Sequence, residues 1–213
     1  MERIELRQAL PLVFQGRKTE SQIWLQDVTF QKGETILVEA SSGTGKSSLC
    51  SYIIGYRKDY LGTILFDGRD IRTHRVSDWT SLRKRSLSLL FQELRLFPEL
   101  SAMENVEIKN GLTRFKSKKE IEAWFERLGI ADKMDAKVGR MSFGQQQRVA
   151  MIRALVQPFD FLLVDEPISH LDDANSAIMG DIMMEEVRRQ GAGVIVTSIG
   201  KHMGLPYDKT FYL

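Results

Sequence analysis

Two short segments hold residue types that together could bind and cleave a phosphate anhydride. The first is Ser41-Ser42-Gly43-Thr44-Gly45-Lys46-Ser47-Ser48. Small residues suit such a task, because backbone N–H groups must curl around phosphate oxygens and bulky side chains would block the approach. Lys46 would place a point charge on the β- and γ-phosphates, and the helix that Lys46 opens would add its N-terminal dipole. The Ser47 hydroxyl is placed to ligate Mg²⁺. Ile36 to Ala40 before the loop reads as a strand, and Leu49, Tyr52 and Ile53 after it read as a helix, so strand, loop and helix come in the required order. Ala40 stands where the full pattern has glycine; its methyl is small, and the loop is expected to survive. Ser42, Gly43, Thr44, Gly45, Lys46, Ser47 and Ser48 are the expected nucleotide contacts.

The second segment is Phe161-Leu162-Leu163-Val164-Asp165-Glu166-Pro167, an apolar strand that ends in two acids. Asp165 would hold Mg²⁺, directly or through water. Glu166 would act as general base for the attacking water. Acids often end a strand at a turn for structural reasons alone, but these lie about 120 residues after a phosphate loop. A carboxylate pair could also serve a glycosidase, yet nothing else in the chain points to a sugar site.

The elements around these segments follow an α/β pattern. Segments 3–14, 23–30 and 62–66 have the alternating or β-branched character of an N-terminal sheet. Segments 34–40, 87–91, 160–164, 193–197 and 209–213 read as buried strands of a parallel core, separated by helical crossovers. Between Gln92 and about Pro158 the pattern turns helical. Ser117 to Glu120 reads as a capping box, and Ile121, Trp124, Phe125 and Leu128 recur at core-facing helical spacing before Gly129 ends the run. The expected organisation is a single domain over 1–213, with a helical subdomain at about 93–157 inserted in the core.

Composition narrows the function classes. Thirty Lys and Arg against 28 Asp and Glu leave +2, which supplies no strong field for nucleic acid or an anionic membrane. The clusters Arg83-Lys84-Arg85 and Lys116 to Lys119 are expected to be solvated helix faces. The one cysteine, Cys50, fits a reducing compartment and a packing role. No apolar run approaches the roughly 20 residues of a membrane-spanning helix, and the first residues lack the apolar stretch of a secretory leader.

Met141-Ser142-Phe143-Gly144-Gln145 and the apolar helix after it, with Val149, Ile152, Leu155 and Val156 on one side, resemble the signature segment of ATP-binding cassette ATPases. With the phosphate loop, Gln92 and Ser169-His170-Leu171-Asp172, the resemblance covers nearly the whole chain. It implies a phosphate-loop NTPase core with an N-terminal antiparallel β subdomain and an inserted α-helical signature subdomain. It also implies ATP and Mg²⁺ as ligands, and a head-to-tail pair of cassettes in which Ser142, Gly144 and Gln145 meet the nucleotide of the partner. Gln92 would sense Mg²⁺ and water and couple to a separate transmembrane permease subunit, and Asp172 would communicate across the pair. Segments 96–100 and 104–106 are similar to compact exporter cassettes of the lipoprotein-releasing, macrolide-export and cell-division branch. Such a subunit is expected to be cytoplasmic, peripheral on the inner face of the cell membrane. Phe14 or Trp24 could stack on adenine.

Two departures matter. Phe143 stands where the family has a first glycine, and Ser198 stands where a histidine meets the γ-phosphate; serine cannot carry that charge. Retained but slow hydrolysis is expected, with Ser198 in the catalytic set and His202 a remote substitute. The competing reading is a soluble regulatory or scaffolding cassette with weak hydrolysis. A nucleic-acid-associated cassette is disfavoured, because the chain has neither a long coiled-coil insertion nor a second cassette.

Overall fold

The computed structural model describes residues 1–167, 173–200 and 203–213. An antiparallel sheet has the order β2 (Asp27–Gln31), β1 (Arg3–Pro11), β4 (Tyr60–Phe66), β5 (Arg69–Asp70). A parallel sheet has the order β6 (Leu87–Leu90), β7 (Phe161–Asp165), β8 (Gly193–Ser198), β3 (Thr35–Glu39), β9 (Lys209–Tyr212). Four short 3-10 helices and six α-helices complete the described elements, the latter being α1 (Lys46–Ile53), α2 (Val76–Arg85), α3 (Ala102–Asn110), α4 (Lys118–Arg127), α5 (Phe143–Leu155) and α6 (Asp173–Gln190).

The parallel sheet is buried on both faces, which is why its central strands are continuously apolar instead of alternating. Successive side chains of one strand serve different cores. Phe161 and Leu163 of β7, Ile195 of β8 and Ile36 and Val38 of β3 join α1 and the antiparallel sheet. Leu162 and Val164, Val194 and Val196, and Leu37 join α3 to α6. The expected strand at 23–30 is shorter, because residues 23–26 lie outside β2. The expected buried strand at 209–213 is instead a largely exposed edge, β9, paired on β3 alone.

Helices α3, α4 and α5 fall within 93–157. The Ser117 box closes as anticipated, with Glu120 N–H donating to Ser117 Oγ at 3.3 Å and Ser117 N–H to Glu120 Oε2 at 2.9 Å. Ile121, Trp124, Phe125 and Leu128 are buried. The basic clusters are solvated in part: Arg85, Lys118 and Lys119 are exposed as expected, but Lys116 and Arg83 are not. Lys116 is buried against Glu186 of α6 at 2.6 Å, and Arg83 donates to the carbonyls of Ile54 and Gly55 while covering the rings of Tyr56 and Trp79. Local apolar periodicity cannot show these pairings, since the partners lie far away in sequence.

One glycine is required by a backbone crossing. Gly62 in β4 has φ +74°, and a Cβ there would sit 2.1 Å from the Gln8 carbonyl oxygen, at the register shift between Arg7 and Leu10 of β1. Gly62→Ala is expected to destabilise the chain by about 2 kcal/mol or more, because strain and clash add. The midpoint of urea unfolding measures it.

Candidate functional site

The C-terminal ends of the parallel strands collect the predicted residues at one edge, where open α/β sheets present their crevices. β3 runs through the loop of residues 40–45 into α1, whose N-cap is Gly45 at φ +101°. A Cβ on Gly45 would lie 3.0 Å from the Phe14 ring and 3.2 Å from the Trp24 indole, so the loop rests on these two aromatics. Trp24 is 1 % exposed and its Nε1–H donates to the Thr44 carbonyl at 2.9 Å. That excludes Trp24 as an adenine platform and makes it a support for the loop. Phe14, with Val13 and Arg17, lines one end of the cleft, and Gln92, Glu166 and Ile199 line the other.

Lys46 is the buried cation of this cleft. At 4 % exposure its ammonium donates to the Ser41 carbonyl at 2.9 Å and lies 3.5 Å from Glu166 Oε1. Gln92 Nε2 donates to Glu166 Oε2 at 3.1 Å. Glu166 itself has φ +48°, a left-handed conformation uncommon for a residue with a Cβ. Its neighbour Asp165 is the last residue of β7 and accepts from the Thr197 hydroxyl at 2.6 Å. The adjacent-strand register, Asp165 opposite Thr197, makes that bond possible. Thr197 was not among the sequence-derived candidates, since register between β7 and β8 is not visible in one chain's pattern.

Ser47, Asp165 and Gln92 offer only oxygen donors, the hard ligand set that Mg²⁺ takes. The Thr197 hydroxyl fixes the orientation of the Asp165 carboxylate. Cys50 is buried below the loop, where desolvation, with the Asp165 charge adding, pushes its thiol well above the ordinary range; it packs as a small apolar group. Ser198 ends β8 at 1 % exposure, so its side chain is not displayed on the cleft as a longer histidine there would be.

Ser142, Gly144 and Gln145 do not line this cleft. They open α5, where Ser142 N–H donates to Gln145 Oε1 at 2.9 Å and Gln145 N–H to Ser142 Oγ at 3.3 Å. Phe143 stands beside them, 42 % exposed. Asp172, His170 and His202 lie outside the described residues.

A family model described as ABC transporter matches residues 26–169. The chain belongs to the ABC transporter family. This cassette is 33 % identical over 175 residues to the lipoprotein-releasing system ATP-binding protein LolD of Aquifex aeolicus, covering 80 % of this chain and 77 % of that one. It is 31 % identical over 191 residues to the uncharacterised ABC transporter ATP-binding protein YvrO of Bacillus subtilis, with 88 % and 82 % covered. Against the macrolide export ATP-binding/permease protein MacB of a Shewanella strain, identity is 30 % and the match spans 86 % of this chain but 28 % of that protein. The fold matches the dimeric cassette MJ0796 with a TM-score of 0.77 at 24 % identity, over 92 % of this chain and 87 % of the other. A second structure of MJ0796, a dimeric post-hydrolysis state bound to ADP and Pi, gives 0.74 at 25 % identity over the same shares.

Next to Gln92, arginines pack on aromatic rings and main-chain carbonyls, and Arg95 is ion-paired with Glu93 at 3.8 Å. The Tyr56 ring stacks on Phe91 at 6.0 Å, and Arg95 lies 4.2 Å over Phe91. Arg153 donates to the carbonyls of Leu94 and Arg95. Burial, with the Arg153 charge adding, pushes the Lys109 ammonium of α3 down to about 8.

Two outcomes follow for this site. Trp24→Phe keeps the ring but removes the bond to Thr44, and should weaken ATP binding about threefold to tenfold in a fluorescent-nucleotide titration. Lys109 gives a pH signature. Between about 8 and 10.5 the unfolded chain holds a proton that the folded chain has released, so stability contributed by this group rises with pH across that window. Urea unfolding at pH 7.5 and 10 should show that rise in the native chain relative to Lys109→Met.

Proposed function

We propose that this cassette hydrolyses ATP as the motor subunit of a transporter, acting on a separate transmembrane permease through closure of two cassettes. The observation that carries the reading is the convergence of Lys46, Glu166 and Gln92 over a phosphate loop. Phosphate oxygens entering the loop compete with Ser41 and Glu166 for the Lys46 ammonium, which leaves the Glu166 carboxylate free to meet the water. Glu166 then takes the proton of a water, held by Gln92, as its oxygen bonds to the γ-phosphorus; the bond to the bridging oxygen breaks and ADP departs. Ser47, Asp165 and Gln92 would hold Mg²⁺, which would supply positive charge to offset that of the phosphates.

Because Ser142, Gly144 and Gln145 lie off the cleft, their nucleotide is that of a second cassette, identical or different. The permease contact is assigned to the surface beside Gln92, on the subdomain where Phe97, Ile108 and Leu112 are exposed. A permease segment that carries apolar side chains complements it. The cassette would then sit on the cytoplasmic face of the cell membrane, held by that partner. Nucleic acid is not part of the reading.

The withdrawn Ser198 and the exposed Phe143 favour slow turnover, and they keep a second reading in view, a soluble regulatory cassette that uses ATP as a switch. Glu166→Gln separates the assignments. Turnover should fall at least about a hundredfold, with ATP affinity kept and an ATP-dependent dimer accumulating on size exclusion. An unchanged steady-state rate would remove Glu166 as the base. Purification of the tagged chain from detergent-solubilised membranes should bring a polytopic membrane protein in stoichiometric amount; recovery with soluble proteins alone supports the regulatory reading.

A further inference from the structure

The turn that carries Glu166 is fastened from the far side by α5. Gln147, three residues after Gly144, is 2 % exposed, and its Nε2–H donates to the Pro167 carbonyl at 3.2 Å. Its Oε1 is buried with no hydrogen-bond partner. A buried acceptor left in that state is costly, and a methionine would fill a similar volume without the cost. Packing alone therefore gives no reason for an amide here; the bond to Pro167 does.

That bond sits next to the one strained residue of the cleft. A left-handed φ at a residue with a Cβ persists only where the surroundings hold it. The backbone of Glu166 is tied on one side by its own N–H, which donates to the Thr197 carbonyl at 3.2 Å. On the other side the next peptide carbonyl, that of Pro167, is tied by Gln147. Pro167 has no N–H to donate, so its carbonyl is the main-chain group by which this residue can be anchored.

We propose that Gln147 is a positioning residue for Glu166: its amide pins the Pro167 carbonyl, keeps Glu166 in the left-handed conformation that aims the carboxylate at Lys46 and Gln92, and ties that aim to the second turn of α5. The inference rests on Glu166 as the base. Helix α5 begins with Ser142, Phe143 and Gly144, so whatever settles on its N-terminus is linked through about one helical turn to the catalytic turn. Neither residue forming the link, Gln147 or Pro167, lines the cleft.

Gln147→Met tests this with two readouts on the full chain. Amide hydrogen exchange resolved residue by residue by NMR, without added nucleotide, should become about tenfold faster at the Glu166 amide, the size expected for one lost hydrogen bond. Amides of the rest of α5 and of β7 should be unchanged. Steady-state hydrolysis should show kcat lowered about tenfold at an unaltered KM for MgATP. Gln147→Glu adds a pH test, because a protonated carboxyl can donate to Pro167 and an ionised one cannot; its turnover relative to the native chain should fall as pH rises, while that of Gln147→Met should not. Unchanged exchange at Glu166, exchange raised equally throughout α5, or an unaltered kcat with faster exchange each overturns the positioning role. If the native chain hydrolyses no more ATP than Lys46→Ala, it is the ATPase reading that fails, and exchange alone judges the tether.

Discussion

A buried ammonium has to be surrounded by oxygen, and the site is organised around that demand. Lys46 lies almost out of contact with water, where an uncompensated charge would cost several kcal/mol. Its compensation comes from two directions, the Ser41 carbonyl of its own loop and the Glu166 carboxylate at the end of another strand. To bring them together, β3 and β7 must run parallel, in one sheet, with β8 between them, and both must end at the same level. A parallel sheet in turn needs crossover helices and two covered faces. The antiparallel sheet with α1 supplies one cover, and α3 to α6 supply the other.

The chemistry was more legible in the sequence than the supports of that chemistry. The loop, Lys46, Asp165 and Glu166 lie in contiguous segments whose residue types state their use, and β3 with α1 follows from simple apolar patterning. The capping box at Ser117 was legible for the same reason, since its partners fall within three residues. Contacts that join distant segments were not. Lys116 looked like one lysine of a charged run, but it is paired inside the protein with Glu186, 70 residues away. Trp24 resembled a nucleotide platform by type, yet an indole N–H also serves as a buried donor, and here it holds the loop. Thr197 and Gln147 carried no signal, because each matters through the register or crossing of elements that pattern alone does not align.

The same division explains why the departures from the family read differently in three dimensions. Ser198 is folded into the end of β8, so what the site loses there is reach as well as charge. Phe143 is turned outward on a helix start whose cap is complete. The first change acts inside this cassette, whereas the second changes a surface offered to another.

Helix α5 touches the site at more than its start. In its second turn Gln147 holds the peptide after Glu166, and near its end Arg153 grips the carbonyls of Leu94 and Arg95, two and three residues beyond Gln92. A rod fastened at both places transmits a tilt to both. The groups that would deprotonate and orient the water share one mechanical support, so a push on the surface beside Gln92 and a push on the first turn of α5 enter the same lever from opposite ends.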